Sequence, residues 1–122
     1  MIEKFDLTRL VCMGGNMWIA AFEESQRLRL LIEDNPKNLD YRFKQARFFV
    51  SKDDDIQTII AYCKIIKFFN NNLTAYEELA EYLYFANRNE WAIETCMEGL
   101  KFHDSIKLKE IFNHSVACII NG

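Results

Sequence analysis

One proline and four glycines punctuate 122 residues. An all-β sandwich of this length needs many tight turns, usually written with clusters of Gly, Pro, Asn and Asp. Punctuation here is sparse and widely spaced, so long helices are the better reading. A basic excess is missing as well, since formal net charge is −3. Nucleic-acid binders carry cations that displace counterions from phosphate. The local run Lys37, Arg42, Lys44, Arg47 is soon followed by Asp53, Asp54 and Asp55 and reads as a solvated helix face. No nucleic-acid partner is expected, which sets aside a helical-repeat RNA reader. No long apolar run exists either. The longest uncharged stretch, Leu10 to Phe22, is broken by Gly14-Gly15-Asn16 and falls short of the roughly 18 residues a membrane span needs. The N-terminus carries two acids and no apolar h-region, so no secretory signal is read. Cys12, Cys63, Cys96 and Cys118 lack C-x-x-C pairing and sit in apolar helical patterns, which suits free core thiols in a reducing, cytoplasmic setting.

Signatures of catalysis are equally absent. There is no G-x-S-x-G, P-loop, dinucleotide fingerprint or H-E-x-x-H. His103 and His114 are the only histidines and are eleven residues apart, so no metal is expected. His114 and Ser115 are adjacent, point to different helix faces and do not make a base and nucleophile pair. Glu77, Glu78 and Glu81, with Glu90, Glu94 and Glu98, read most simply as solvated faces. The expectation is a chain that is not an enzyme and needs no cofactor.

What is present is apolar and aromatic. Hydrophobic residues reach 50%, with ten Phe, five Tyr and two Trp, enough for one core and against disorder. Apolar residues recur at helical spacing. The reading is a short segment at about Lys4–Met13, then Met17–Asp34, stopped by Asn35-Pro36 because proline disfavours helix before it. Leu39–Ser51 follows, then Ile56–Phe69 behind the Asp53-Asp54-Asp55 cap. Thr74 is read as the cap of a helix ending near Asn87, and Asn89 as the cap of Glu90–His103. The last helix is Ser105–Ile120. Short loops force neighbours antiparallel. The fold class is therefore all-α, a stack of helical hairpins in one domain over residues 1–122.

The hairpins repeat at about 34 residues, the period of tetratricopeptide repeats. Counting from Leu73, Tyr76 takes the Trp position, Leu79-Ala80 the Leu-Gly pair and Leu83 the Tyr position. Ala92 and Cys96 fill the A-x3-F pair, Gly99 the next small site and Asp104 the Pro position. From Leu39, Ala46 and Phe49 match in the first helix, and Thr58, Tyr62 and Ile65 in the second. Leu7, Val11, Gly15 and Ala20 put a first unit in register. Units of 1–38, 39–72 and 73–106 plus a terminal helix make an α-α superhelix that resembles the tetratricopeptide class. An unrelated bundle whose small residues coincide with the template is the competing reading.

The stretch Glu78-Leu79-Ala80-Glu81-Tyr82-Leu83, then Ala92-Ile93, Glu98-Gly99-Leu100, and Asp104-Ser105 through Lys109 and Phe112, is similar in order and spacing to the helical-repeat chaperones of type III secretion needle subunits. That resemblance implies a chaperone that sequesters a helical, polymerisation-prone needle-type subunit, together with a small co-chaperone. A generic adaptor that binds a peptide segment of a partner protein is the alternative.

In such stacks the first helix of each pair lines the concave face. Outward positions there are Phe43, Arg47 and Val50 in the second unit and Glu77, Glu81, Tyr84 and Phe85 in the third. Ile111 and Cys118 come from the last helix, and Phe5 and Arg9 extend the row. An amphipathic helix would be read there through i, i+3, i+4 and i+7 anchors. For Phe43 and Phe85, completing the core is the competing reading. Ile56–Phe69 is apolar nearly all round, so either it is central or its outer face meets a partner. The tail Val116–Ile120 is apolar where a solitary repeat protein ends in a polar cap. An obligate partner or a homodimer is expected.

Overall fold

Four of the six described helices begin where a short polar side chain takes up a free amide, and the helices bury the apolar stripe that their spacing defines. The computed structural model describes residues 15–122 and, from residue 21, their side chains. The segment read at Lys4–Met13, with Phe5, Arg9 and Cys12, lies outside the described residues. Six helices are described: α1 Gly15–Asp34, α2 Leu39–Ser51, α3 Asp55–Phe68, α4 Leu73–Phe85, α5 Asn89–Leu100 and α6 Ile106–Asn121. There is no strand among the described residues. Each helix packs on the next, and α4 also packs on α6. This is the stacked-hairpin architecture that the sequence predicts.

The starts are chemically explicit. Asn38, Asp54, Asn72 and Ser105 accept from the amides of Tyr41, Gln57, Ala75 and Leu108 and so cap α2, α3, α4 and α6. Two expectations are corrected here. Asn72 rather than Thr74 caps α4, because the helix opens at Leu73 and Thr74 is already inside its first turn. Asn89 is the first residue of α5, whose cap position is Arg88 with no side-chain hydrogen bond. Helix α5 stops at Leu100, three residues before His103, where Lys101, Phe102 and His103 donate backbone amides to Glu98 and Gly99 carbonyls. Three turns place Asp53, Asn70, Asn71 and Asn87 at positive φ, a conformation Asx side chains tolerate better than others.

Two buried clusters hold the stack. Phe43 and Ala46 of α2 meet Ala61, Tyr62 and Ile65 of α3, Ala75, Leu79 and Leu83 of α4, and Ala92 of α5. Tyr76 and Ala80 of α4, Cys96 of α5, and Leu108 and Ile111 of α6 form the second. The alanines are buried, and their small size lets neighbouring backbones approach closely. Burial pushes the Cys96 thiol up to about 11, which leaves it a neutral core residue at pH 7. Among the described side chains of α1, Leu28 and Ile32, one helical turn apart, are buried.

Ser105 ties the start of α6 to α4. Its hydroxyl accepts from Leu108 N at 3.1 Å and donates to Glu77 Oε2 at 2.7 Å. Ser105→Ala removes a cap and a partner of Glu77 together. It should cost about 1–2 kcal/mol in a denaturant titration, and Ser105→Thr should restore most of it. An unchanged midpoint for the alanine variant would show that water replaces both bonds.

Candidate functional site

The face built from α2, α4 and α6 carries a hollow of about 560 Å3. Arg47 and Val50 reach it from α2, Glu78, Glu81, Tyr82 and Phe85 from α4, and Lys107 from α6, with Tyr62 of α3 behind. These positions arrive together because two turns of α4 place 78, 81, 82 and 85 on one side while Leu79 and Leu83 face the core.

Four of the residues expected on this face line the hollow: Arg47, Val50, Glu81 and Phe85. Phe85 is its most open apolar group, 74% exposed, with its ring edge-on to Tyr84 at 5.3 Å. Tyr84 itself is half-buried, against Phe85 on one side and His114 on the other at 6.1 Å. Glu77 points away from the hollow to receive the Ser105 hydroxyl. Phe43 and Ile111 are corrected to core positions. Phe43 stands edge-on to Tyr62 at 6.4 Å, and the Arg47 guanidinium lies over its ring at 4.9 Å, so no face of it is open to a ligand. Ile111 is buried where α6 packs on α4. Arg47, one helical turn on, covers Phe43, and the neighbouring helix α4 covers Ile111.

Paired polar side chains line part of the hollow. Arg47 donates to both Glu78 oxygens, Nε at 3.0 Å and Nη2 at 2.5 Å, and the Tyr62 hydroxyl donates to Glu78 Oε1 at 2.7 Å. Burial acts to raise the Glu78 carboxyl, but the Arg47 and Tyr62 hydrogen bonds outweigh it and hold the group below its ordinary value. Burial and the same carboxylate push the Tyr62 hydroxyl well up. At the mouth, Lys107 pairs with Glu81 at 3.4 Å. Tyr82 donates to Asp55, which Arg88 also holds at 3.0 Å; burial and that carboxylate push the Tyr82 hydroxyl up to about 12.

The sequence reading missed Glu78, Tyr62, Tyr82 and Lys107. A glutamate beside another glutamate gives no sign of which one faces a partner 31 residues back in the chain. The cations Arg42, Lys44 and Arg47 do not act as a cluster: Arg42 donates to the Pro36 carbonyl and lies over Phe68 and Phe69, whereas Arg47 belongs to Glu78. Helix α3, expected to be central or partnered, is open on its outer side, where Ile56, Ile60 and Phe68 are exposed. At the other end, Ile119 and Ile120 of α6 are exposed too.

No group of His, Cys, Asp and Glu suited to a metal ion occurs among the described residues. No helix among them is long and apolar enough to cross a membrane. No protein-family model, curated protein or solved structure matches the chain.

Proposed function

We propose that this chain is a protein-binding module whose α2–α4–α6 hollow holds a helical segment of another polypeptide. The observation that carries the reading is Phe85: a large aromatic side chain standing open beside Val50 at the mouth of a hollow where Arg47 is already paired with Glu78 and Lys107 with Glu81. Paired charges need no countercharge from a ligand, so the attraction that remains is apolar, and an amphipathic helix supplies it through one stripe. The stacked hairpins and the resemblance of residues 78–112 to needle-subunit chaperones of type III secretion support the narrower reading. In it, the ligand is a polymerisation-prone helical subunit, kept from premature assembly while its apolar face is covered.

The alternative adaptor reading needs a free cation to meet a peptide's terminal carboxylate. Arg47 and Lys107 are the hollow's cations and both are engaged by glutamates, which favours the helix holder.

Phe85→Glu tests the proposal, because Phe85 is exposed and the substitution disturbs no core contact. Immobilised chain should retain a helical protein from native lysate, and the variant should lose at least about tenfold of that retention while keeping the wild-type circular dichroism. Equal retention by both, or a wild-type chain that stays monomeric and ligand-free at high concentration, would sink it.

A further inference from the structure

A second depression, of about 500 Å3, lies between α3 and α5 on the other side of α4. Its floor is the buried pair Leu79 and Leu83. One wall is the α3 ridge Ile59, Cys63 and Ile66, at spacings of four and three; the other is the α5 ridge Trp91 and Thr95. Trp91 is 48% exposed, with the Arg88 guanidinium 5.7 Å from its ring. Helices α3 and α5 each run antiparallel to α4 and so parallel to each other, leaving between them a furrow of the kind that receives the side-chain ridge of a third helix. Ile56 and Ile60 continue the open apolar stripe along α3.

The rim is split by charge. Lys67 stands on the α3 wall, and Glu94 on the α5 wall together with Glu98, which Lys101 holds at 2.9 Å. A helix with acids on both flanks is repelled along α5, and one with bases on both flanks is repelled at Lys67. A helix carrying acids on one flank and bases on the other meets its countercharge on both walls. A second copy fits less well, because two furrows set face to face enclose a gap rather than fill one.

We infer that the α3–α5 furrow is a second docking site, separate from the α2–α4–α6 hollow. Its occupant is one amphipathic helix of a partner protein, with an apolar seam flanked by carboxylates on one side and by lysines or arginines on the other.

Three designed helical peptides of about 18 residues, long enough to hold their helix, provide the probe. They share a leucine seam and differ only in their flanks, acid/base, acid/acid or base/base. By titration calorimetry at low ionic strength, the acid/base peptide should bind about three- to tenfold tighter than either of the others. Lys67→Glu makes both walls acidic and should move the preference to base/base. Glu94→Lys with Glu98→Lys makes both walls basic and should move it to acid/acid. All three positions are exposed, so these variants keep the fold. Trp91→Ala should weaken every peptide about tenfold, and Phe85→Glu should change none. The proposal is overturned if the wild type binds none of the peptides or if the charge variants leave the order unchanged. It is overturned equally if Phe85→Glu abolishes binding, which would put the peptides in the hollow, or if dilution of the chain alone reveals self-association that Trp91→Ala abolishes.

Discussion

Replacing Gly99 with valine should destabilise the chain by about 3 kcal/mol, near the upper end of what overpacking a core costs. A Cβ built at Gly99 would stand 2.7 Å from Leu108 Cδ1, 3.0 Å from Tyr76 Cγ and 3.1 Å from Tyr76 Cβ. Leu108 is completely enclosed, and Tyr76 is buried with its hydroxyl bonded to Asn71 and its ring against His103. His103 in turn donates to the Asn71 carbonyl at 2.5 Å, so a shift of Tyr76 disturbs the α3–α4 turn as well. Gly99→Ala separates the causes. Alanine gains about 1 kcal/mol of helix propensity over glycine, which offsets part of the clash, so its net loss should be about 1 kcal/mol. Urea titrations of the wild type and both variants check this. A valine variant as stable as the wild type would mean that α5 and α6 do not approach at Gly99.

Glu78→Ala should cost about 2 kcal/mol or more, because one carboxylate serves three helices. It receives Arg47 from α2 and Tyr62 from α3, and itself belongs to α4. Its loss strands the hydroxyl of Tyr62, a residue only 2% exposed, and an unmet buried donor costs about 1–3 kcal/mol. The ion pair adds less, since Arg47 is more than half exposed and water screens it. The effect depends on pH with a definite sign. The folded carboxyl titrates below its ordinary value of 4.5, so its contribution is complete above that pH and fades as the pH falls through the folded value. The stability gap between wild type and Glu78→Gln should therefore be widest near neutral pH and narrow in acid. A gap that is constant from pH 7 to pH 3 would show that the charge on Glu78 contributes nothing.

How far the fold can be read from residues varies along the chain. The 3.6-residue periodicity and the one proline placed α2 at its observed bounds, because Asn35-Pro36 and the aspartate cluster bracket it on both sides. The start of α6 was equally legible from Ser105. Caps failed where two candidates stood within three residues, as with Asn72 and Thr74, since either side chain can reach an amide and only the packing of Leu73 and Tyr76 decides. At the site, spacing alone brought Arg47, Val50, Glu81 and Phe85 to one face. It gave no warning that Arg47 would fold down over Phe43 and spend its charge on Glu78, which is a contact between helices from different hairpins. The outer side of α3 was legible in one respect only. An apolar helix must be enclosed or partnered, and the structure leaves Ile56, Ile60 and Phe68 open.

The order in which the helices touch has a kinetic consequence. Among the described elements every major contact joins consecutive helices, with α4 on α6 the one that skips a neighbour. Chain segments that meet in the native state are therefore close along the backbone, and little loop-closure entropy opposes their first encounter. Such low contact order belongs to chains that fold on the microsecond-to-millisecond scale. A polypeptide with this much oily surface thus spends little time with its interior uncovered.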